Sequence, residues 1–113
     1  MISKFEDIIS WQKARKLTVK VYHTFENTND FGYKNQIERA SVSIMNNIAE
    51  GFDRKSNKEF SHFLYIAKGS CAEVRSMLYL AKDLNKIEDK KHKEFHELTI
   101  EISKLLSGLI KTL

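Results

Sequence analysis

The sequence predicts an all-α protein, folded as an antiparallel up-down-up-down four-helix bundle. Proline is absent from the 113 residues and glycine occurs only four times, so residues that break helices are rare. Four segments carry apolar residues at steps of three and four, the period of an amphipathic helix. The loops between them are short, which favours antiparallel neighbours, and the length suits one domain over residues 1–113.

The first predicted helix begins between Ser3 and Asp7 and ends near Phe25. Its apolar stripe consists of Ile8, Trp11, Ala14, Leu17, Val21 and Phe25. The opposite side carries the polar residues Gln12, Lys13, Lys16, Lys20 and His23. This side is either a solvated face or a strip that contacts phosphates. The following segment, Glu26–Gly32, is rich in turn-forming residues and is predicted to be the first loop.

The second predicted helix runs from about Tyr33 to Glu50, and Gly51 is predicted to end it in a left-handed cap. Its apolar stripe consists of Ile37, Ala40, Ser41, Ile44, Ile48 and Ala49. Its interior also holds side chains that compete for backbone hydrogen bonds, namely Ser41, Ser43, Asn46 and Asn47. We therefore expect tertiary contacts and side-chain hydrogen bonds to hold this helix.

Charged and polar residues mark the turn after the second helix. Glu50 opposes the helix dipole near the C-terminus, so we expect a cationic partner for it. The candidates for that partner are Arg39, Arg54 and Lys55. The basic turn lacks the glycine spacing of a nucleotide-binding loop. Ser56 and Glu59 form an S-x-x-E capping box, which predicts the start of the third helix.

The third helix is predicted from about Asn57 to Leu84 and is the longest element. One stripe consists of Phe60, Leu64, Ala67, Cys71, Val74, Leu78 and Ala81. A second stripe beside it consists of Phe63, Ile66, Ser70, Met77, Leu80 and Leu84. Because the apolar arc is wider than a two-helix seam, we expect this helix to contact several neighbours.

Opposite that arc, the third helix carries small and aromatic residues on its outward side: Tyr65, Gly69, Ala72 and Tyr79. Another subunit could pack there, with the tyrosines as anchors. Alternatively, single-stranded nucleic acid could stack on the tyrosines while Lys68, Arg75 and Lys82 meet phosphates. We favour the subunit contact, because glycine and alanine allow close packing and Asp83 would repel phosphate.

The fourth helix is predicted from about Lys90 to Lys111, after a turn at Asn85–Asp89. Its apolar stripe consists of Phe95, Leu98, Ile102, Leu105 and Leu109, which Leu106 and Leu113 widen. His92 and His96 lie one turn apart and are interpreted as a solvated pair. Cys71 is the only cysteine, and its place on an apolar face predicts a packed thiol.

The residue types argue against catalysis. We find no set of nucleophile, acid–base pair or metal ligands, so we expect no enzyme activity, no catalytic residue, no cofactor and no metal. The net charge of +4 is compatible with nucleic-acid binding but does not establish it. No apolar run suits a bilayer and the N-terminus carries acids where a signal peptide would be basic, so we expect a cytoplasmic protein without a membrane partner.

Two runs of residues resemble a bacterial family. The run from Ser43 to Ser70 contains the motif residues Ser43, Asn47, Glu50 and Gly51, and Phe5–Ile8 with Trp11–Ala14 match the family's opening. The family is the "four helix bundle protein" family, or ribosomal RNA intervening-sequence proteins. It is similar in turn to the accessory proteins of diversity-generating retroelements. Those assemble as rings of five and bind nucleic acid and a reverse transcriptase.

Two functional hypotheses follow. The first, which the resemblance implies, is a self-assembling scaffold, a homo-oligomer and specifically a pentamer, that presents basic surfaces to RNA or DNA. The candidate contact residues are Lys13, Lys16, Lys20, Arg54, Lys55, Lys68, Arg75 and Lys82. The alternative is an adaptor that binds a protein, such as a polymerase or reverse transcriptase, without contacting nucleic acid. Its docking surface would be the face from Tyr65 to Tyr79, or the first helix.

Overall fold

The computed structural model describes residues 2–113, which form one elongated bundle of 43 × 22 × 19 Å. Its four helices are α1 (Ile9–Thr24), α2 (Phe31–Phe52), α3 (Asn57–Asp83) and α4 (Asp89–Lys111). Each helix packs on two others, in the cyclic order α1, α2, α3, α4 and back to α1. This arrangement, with short loops between successive helices, is the predicted all-α four-helix bundle. None of these helices is long and apolar enough to cross a membrane.

The chain begins differently from the single helix that the sequence predicts. Phe5–Asp7 form a separate 3-10 turn, and Ile8 adopts an extended conformation before α1 begins at Ile9. Glu6 and Asp7 therefore lie in that turn and not in the first turn of α1. The Phe5 ring packs edge-on against Trp11 at 5.2 Å, and Ile8 is buried, so apolar contacts hold the turn against α1.

Gly51 does not end α2 in a left-handed cap, and this prediction was wrong. The helix continues to Phe52, and no glycine within residues 2–113 has a positive φ angle. Gly51 is buried, and a Cβ atom placed on it would lie 2.6 Å from the Cβ of Phe63. The glycine is required because the α2 backbone approaches α3 too closely for any side chain.

The residue with a left-handed conformation is Asn85, which follows α3 with a φ of 57°. Its N–H donates to the carbonyl of Lys82, and the N–H of Lys86 donates to that of Ala81. This is the Schellman pattern with asparagine in the place of glycine. At the other end of α3, the amide of Glu59 donates to Ser56 Oγ at 3.1 Å, which confirms the predicted N-cap.

The predicted core stripes of α1 and α4 are buried or half-buried, except for Leu113 at the exposed C-terminus. The first stripe of α3 is buried throughout. The second stripe of α3 is only partly inside: Met77 is buried, whereas Ile66, Leu80 and Leu84 are 40–54% exposed. Helix α3 contacts α2 and α4 but keeps an outward face, and these three residues lie on that face.

Side-chain hydrogen bonds hold α2, as its unfavourable composition predicted. Ser43 Oγ lies 2.9 Å from Ser70 Oγ of α3. On the other side of α2, the hydroxyl of Thr18 in α1 donates to the carbonyl of Ser41 at 3.1 Å. One bond joins α2 to α3 and the other joins α1 to α2, so Ser43 through its side chain and Ser41 through its carbonyl take part in the two contacts of α2.

Candidate functional site

The outer face of α1 is the most uniformly cationic surface of a single helix. Residues Ile9–Thr24 include Lys13, Arg15, Lys16 and Lys20 and no acidic residue. Lys16 and Lys20 are exposed, and neither takes part in an ion pair within residues 2–113. Lys13 is half-buried and pairs with Glu101 of α4 at 3.5 Å. Two of the three predicted contact residues of this helix are therefore free to meet an anion.

The cations in the turn between α2 and α3 differ in their availability. Arg54 Nη2 lies 3.0 Å from Glu50 Oε1, which confirms the predicted cationic partner of Glu50. The guanidinium of Arg54 also lies over the Phe63 ring, 4.7 Å from its centroid. Lys55 is exposed at the tip of the turn. Arg54 thus has partners within the fold, and Lys55 has the greater freedom.

The three cations of α3 do not share a surface with those of α1. Lys68, Arg75 and Lys82 are half-buried, and α1 and α3 do not pack together in the cyclic order of the bundle. The fold therefore separates the eight predicted contact residues into three groups: the outer face of α1, the α2–α3 turn, and one flank of α3. The bundle therefore has no single flat surface that contains all eight predicted contact residues.

The outward face of α3 exposes several apolar and small residues, with the exposed polar residues Glu73 and Ser76 between them. Tyr65 is 59% exposed and Tyr79 is 48% exposed. Ile66, Leu80 and Leu84 are exposed on the same side of α3, and a Cβ atom placed on Gly69 would have no neighbour within 4 Å. Ala72 is also exposed. The α3 face, defined as these residues, has the composition of a protein contact surface.

One end of the α3 face adjoins an aromatic cluster. The Tyr79 ring lies 4.8 Å from the His92 ring and 5.6 Å from the His96 ring. His92 is only 6% exposed, so the predicted solvated pair was wrong for this residue, which packs under Tyr79. Burial, with smaller contributions from Lys82 and His96, lowers the pKa of His92. The imidazole is therefore favoured in its neutral form.

A second apolar surface is a groove of about 830 Å³ between the N-terminal segment and α4. Its apolar lining includes Ile2, Ile9, Ile100, Leu105 and Leu109. Acidic residues also line it, namely Asp7, Glu97 and Glu101. This groove is not predicted by the sequence pattern, because Ile2, Ile9 and Ile100 lie outside the predicted core stripes.

A third surface feature is a depression of about 370 Å³ between α1 and α2. It is lined by Tyr22, Asn35, Glu38 and Arg39. Of these four residues, only Arg39 has a role predicted from the sequence, as a candidate partner for Glu50. The absence of acids from α1 could have directed attention to this side, but the register of α1 against α2 is needed to bring the four residues together.

The family motif residues have structural roles. Asn47 Nδ2 donates to the carbonyl of Ser43 at 2.8 Å, and Ser43 bonds Ser70 of α3. Gly51 provides the close approach to Phe63, and Glu50 fixes Arg54. All four residues therefore act at or near the contact between α2 and α3.

Cys71 is a packed thiol, as its position predicted. It is buried and its thiol donates to the carbonyl of Thr99 at 3.2 Å. Burial raises the pKa of this thiol to about 11. The thiolate is scarce at neutral pH, so Cys71 joins α3 to α4 and is a poor nucleophile.

Comparison with known proteins agrees with this architecture. The chain matches the family described as 23S rRNA-intervening sequence protein over residues 6–108. No curated protein matches. A crystal structure at 1.70 Å of a protein of unknown function from the S23 ribosomal protein family of Bacteroides thetaiotaomicron superposes with a TM-score of 0.85. The two are 26% identical, and the match covers 91% of this chain and 99% of the other. The chain belongs to the 23S rRNA-intervening sequence protein family.

Proposed function

We propose that this protein is a non-enzymatic, self-assembling bundle that binds RNA through the outer face of α1. The observation that carries the proposal is the composition of that face: exposed Lys16 and Lys20 lie on a helix that has no acidic residue. Cations spaced along one exposed helix contact successive phosphates without reading sequence. The family name, which refers to ribosomal RNA, supports RNA over DNA as the ligand.

Self-assembly would strengthen these contacts. One chain offers few free cations, but an oligomer repeats them, and linked weak contacts add through effective concentration. The resemblance to ring-forming proteins favours five subunits. The fold offers two different apolar surfaces, the α3 face and the groove beside α4. A contact between two unlike surfaces can close into a ring, whereas a contact between two copies of one surface stops at a dimer.

The RNA-binding part is tested by measuring affinity for single-stranded RNA across a series of salt concentrations. The double variant Lys16→Ala/Lys20→Ala should weaken binding and make the log–log salt slope shallower by about 1.4 per chain bound, since two phosphate contacts are lost. The matched control is Lys90→Ala/Lys93→Ala on α4, which removes the same charge from two exposed positions. Equal weakening by both pairs would contradict the assignment to α1.

The assembly part is tested by light scattering at low and high salt. A mass of about five times the 13.2 kDa of one chain, in both conditions, would support the pentamer. A monomer in both conditions would refute self-assembly. RNA competition against DNA of the same sequence then decides which nucleic acid is preferred.

The second candidate function is the adaptor that binds a protein. The observation in its favour is the apolar groove of about 830 Å³ beside α4, since exposed apolar surface of this kind marks sites of protein contact. The adaptor predicts stoichiometric capture of a protein and no affinity for bare RNA. The salt series on wild-type protein therefore separates the two functions.

A further inference from the structure

Two glycines of the bundle have no structural reason within one chain. Gly69 lies in the middle of α3, and Gly108 lies near the end of α4. Neither has a positive φ angle, so neither is needed to end a helix. A Cβ atom placed on either residue would have no neighbour within 4 Å, whereas one placed on Gly51 would clash with Phe63. Because glycine inside a helix lowers stability relative to alanine, we expect something outside the chain to approach both positions closely.

Each of the two glycines lies on one of the two exposed apolar surfaces. Gly69 belongs to the α3 face, between the exposed rings of Tyr65 and Tyr79. Gly108 lines the groove beside α4, whose other wall includes the exposed side chain of Ile9. Exposed apolar surface on a small bundle marks sites of protein contact, and glycine allows a helix from another chain to come close.

The two surfaces match in length. The part of α3 from Tyr65 to Tyr79 is about 21 Å long at the rise of an α-helix. The side of the groove that α4 forms extends from Glu97 to Thr112, which is about 22 Å by the same measure. Helices that pack at a small angle stay in contact over such a distance. The α3 face is therefore long enough to fill the groove from end to end.

Opposite charges accompany the two surfaces. Three cations border the α3 face on one flank, namely Lys68, Arg75 and Lys82. None of them takes part in an ion pair with another residue of 2–113. Three acids line the groove beside one base, namely Asp7, Glu97 and Glu101. An antiparallel contact between two α3 faces would instead bring the cations of both copies together, so the groove of a second copy is the better electrostatic match.

We propose that the α3 face of one chain packs in the groove beside α4 of a second copy, with Gly69 and Gly108 at the points of closest approach. The inference rests on the proposed self-assembly and adds to it the two surfaces that meet. Because these surfaces differ, each chain keeps one of them free after the first contact, and successive contacts can close into a ring. Lys16 and Lys20 of α1 do not line the groove, so they remain available to RNA.

The experiment uses two variants that each block one surface. Gly69→Leu fills the α3 face and leaves the groove open, and Gly108→Leu fills the groove and leaves the α3 face open. By light scattering, each variant alone should have the mass of one chain, 13.2 kDa. An equimolar mixture should form a dimer of about twice that mass and nothing larger, because only one complementary pair of surfaces remains.

Two controls accompany the mixture. Asn46→Leu places the same side chain at an exposed position of α2, outside both surfaces, and should assemble as wild type does. Circular dichroism of the two glycine variants should show the helix content of wild type, because nothing lies within 4 Å of a Cβ atom at either position. A loss of assembly is then assigned to the blocked surface and not to a loss of fold.

Charge reversal in the mixed dimer tests how the two surfaces pair. Arg75→Glu in the Gly108→Leu chain, which supplies the α3 face, should weaken the dimer at least about tenfold, because it places an acid beside the acids of the groove. The same substitution in the Gly69→Leu chain lies outside the contact and should change the affinity by less than about twofold. Glu97→Lys should weaken the dimer only in the Gly69→Leu chain, which supplies the groove.

The outcomes separate this inference from the proposed function. If wild type assembles and either glycine variant alone keeps the full mass, self-assembly stands and the pairing of these two surfaces is refuted. If both variants are monomers and their mixture stays monomeric, the surfaces are not complementary and the inference is again wrong. If wild type itself is a monomer, self-assembly and the inference both fail, while RNA binding by α1 is still decided by the salt series.

Discussion

Replacing Gly51 with alanine tests whether the α2–α3 contact requires a glycine. The added Cβ would lie 2.6 Å from Phe63 Cβ and 3.1 Å from Phe60 Cδ1. Phe63 Cβ is attached to the α3 backbone and cannot rotate away, so one helix must shift. Overpacking of this kind costs about 1–3 kcal/mol. Alanine recovers about 1 kcal/mol of helix propensity, so we expect a net loss of about 1 kcal/mol and up to about 2 kcal/mol.

The matched control is Gly69→Ala in the middle of α3. Within one chain a Cβ atom at Gly69 would have no neighbour within 4 Å, so in unfolding measured on the dissociated chain only the propensity gain of about 1 kcal/mol remains. The two identical substitutions should therefore change the free energy of unfolding in opposite directions. For a chain of this length, 1 kcal/mol corresponds to a melting-temperature change of about 4 °C.

The measurement is denaturant unfolding followed by circular dichroism, with thermal unfolding as a second probe. A Gly51→Ala protein about 1 kcal/mol more stable than wild type, the full propensity gain, would show that the helices separate without cost, and the close-approach explanation would be wrong. If both variants are stabilised equally, then helix propensity alone governs both positions.

Three further predictions concern assembly, pH and the polar contact. Gly69→Leu should leave the fold of one chain intact, because nothing lies within 4 Å of a Cβ atom at this position. The mass measured by light scattering should fall if Gly69 lies in the subunit interface, and an unchanged mass would exclude Gly69 from it. Because folding lowers the pKa of His92, its protonation favours the unfolded chain. The free energy of unfolding should decrease as the pH falls below about 6.5, and this decrease should be smaller in His92→Phe when denaturation midpoints are compared from pH 8 to pH 5. Ser43→Ala and Ser70→Ala should show a coupling energy of about 0.5–1.5 kcal/mol in a double-mutant cycle, and additive effects would contradict the hydrogen bond.

Local sequence signals were sufficient for the helices and most of the core. The step of three and four residues in α1 identified Ala14, Leu17 and Val21, all of which are fully buried. The serine and glutamate spacing identified the N-cap of α3 at Ser56. Such signals succeed because an amphipathic stripe and a cap depend on neighbours along the chain.

The errors occur where the answer depends on another helix. Glycine commonly ends helices, so the sequence favours a cap at Gly51. Only the position of Phe63 in α3 shows that Gly51 is needed for the close approach of the two helices. The exposure of Ile66, Leu80 and Leu84 also differs from the stripe that the sequence predicts, because α3 has two neighbours and not three. His92 is buried because Tyr79 of α3 covers it.

The sequence by itself determined the fold class, the number of helices, the N-cap of α3 and the presence of basic residues on α1. The tertiary structure alone decided which cations are free, which apolar residues form the α3 face, and that Tyr22, Glu38 and Arg39 line one depression. The physical reason is the distance along the chain between the residues that interact. Helix formation depends on residues three and four apart, whereas a binding site depends on the register and distance between helices, which the whole packed core sets.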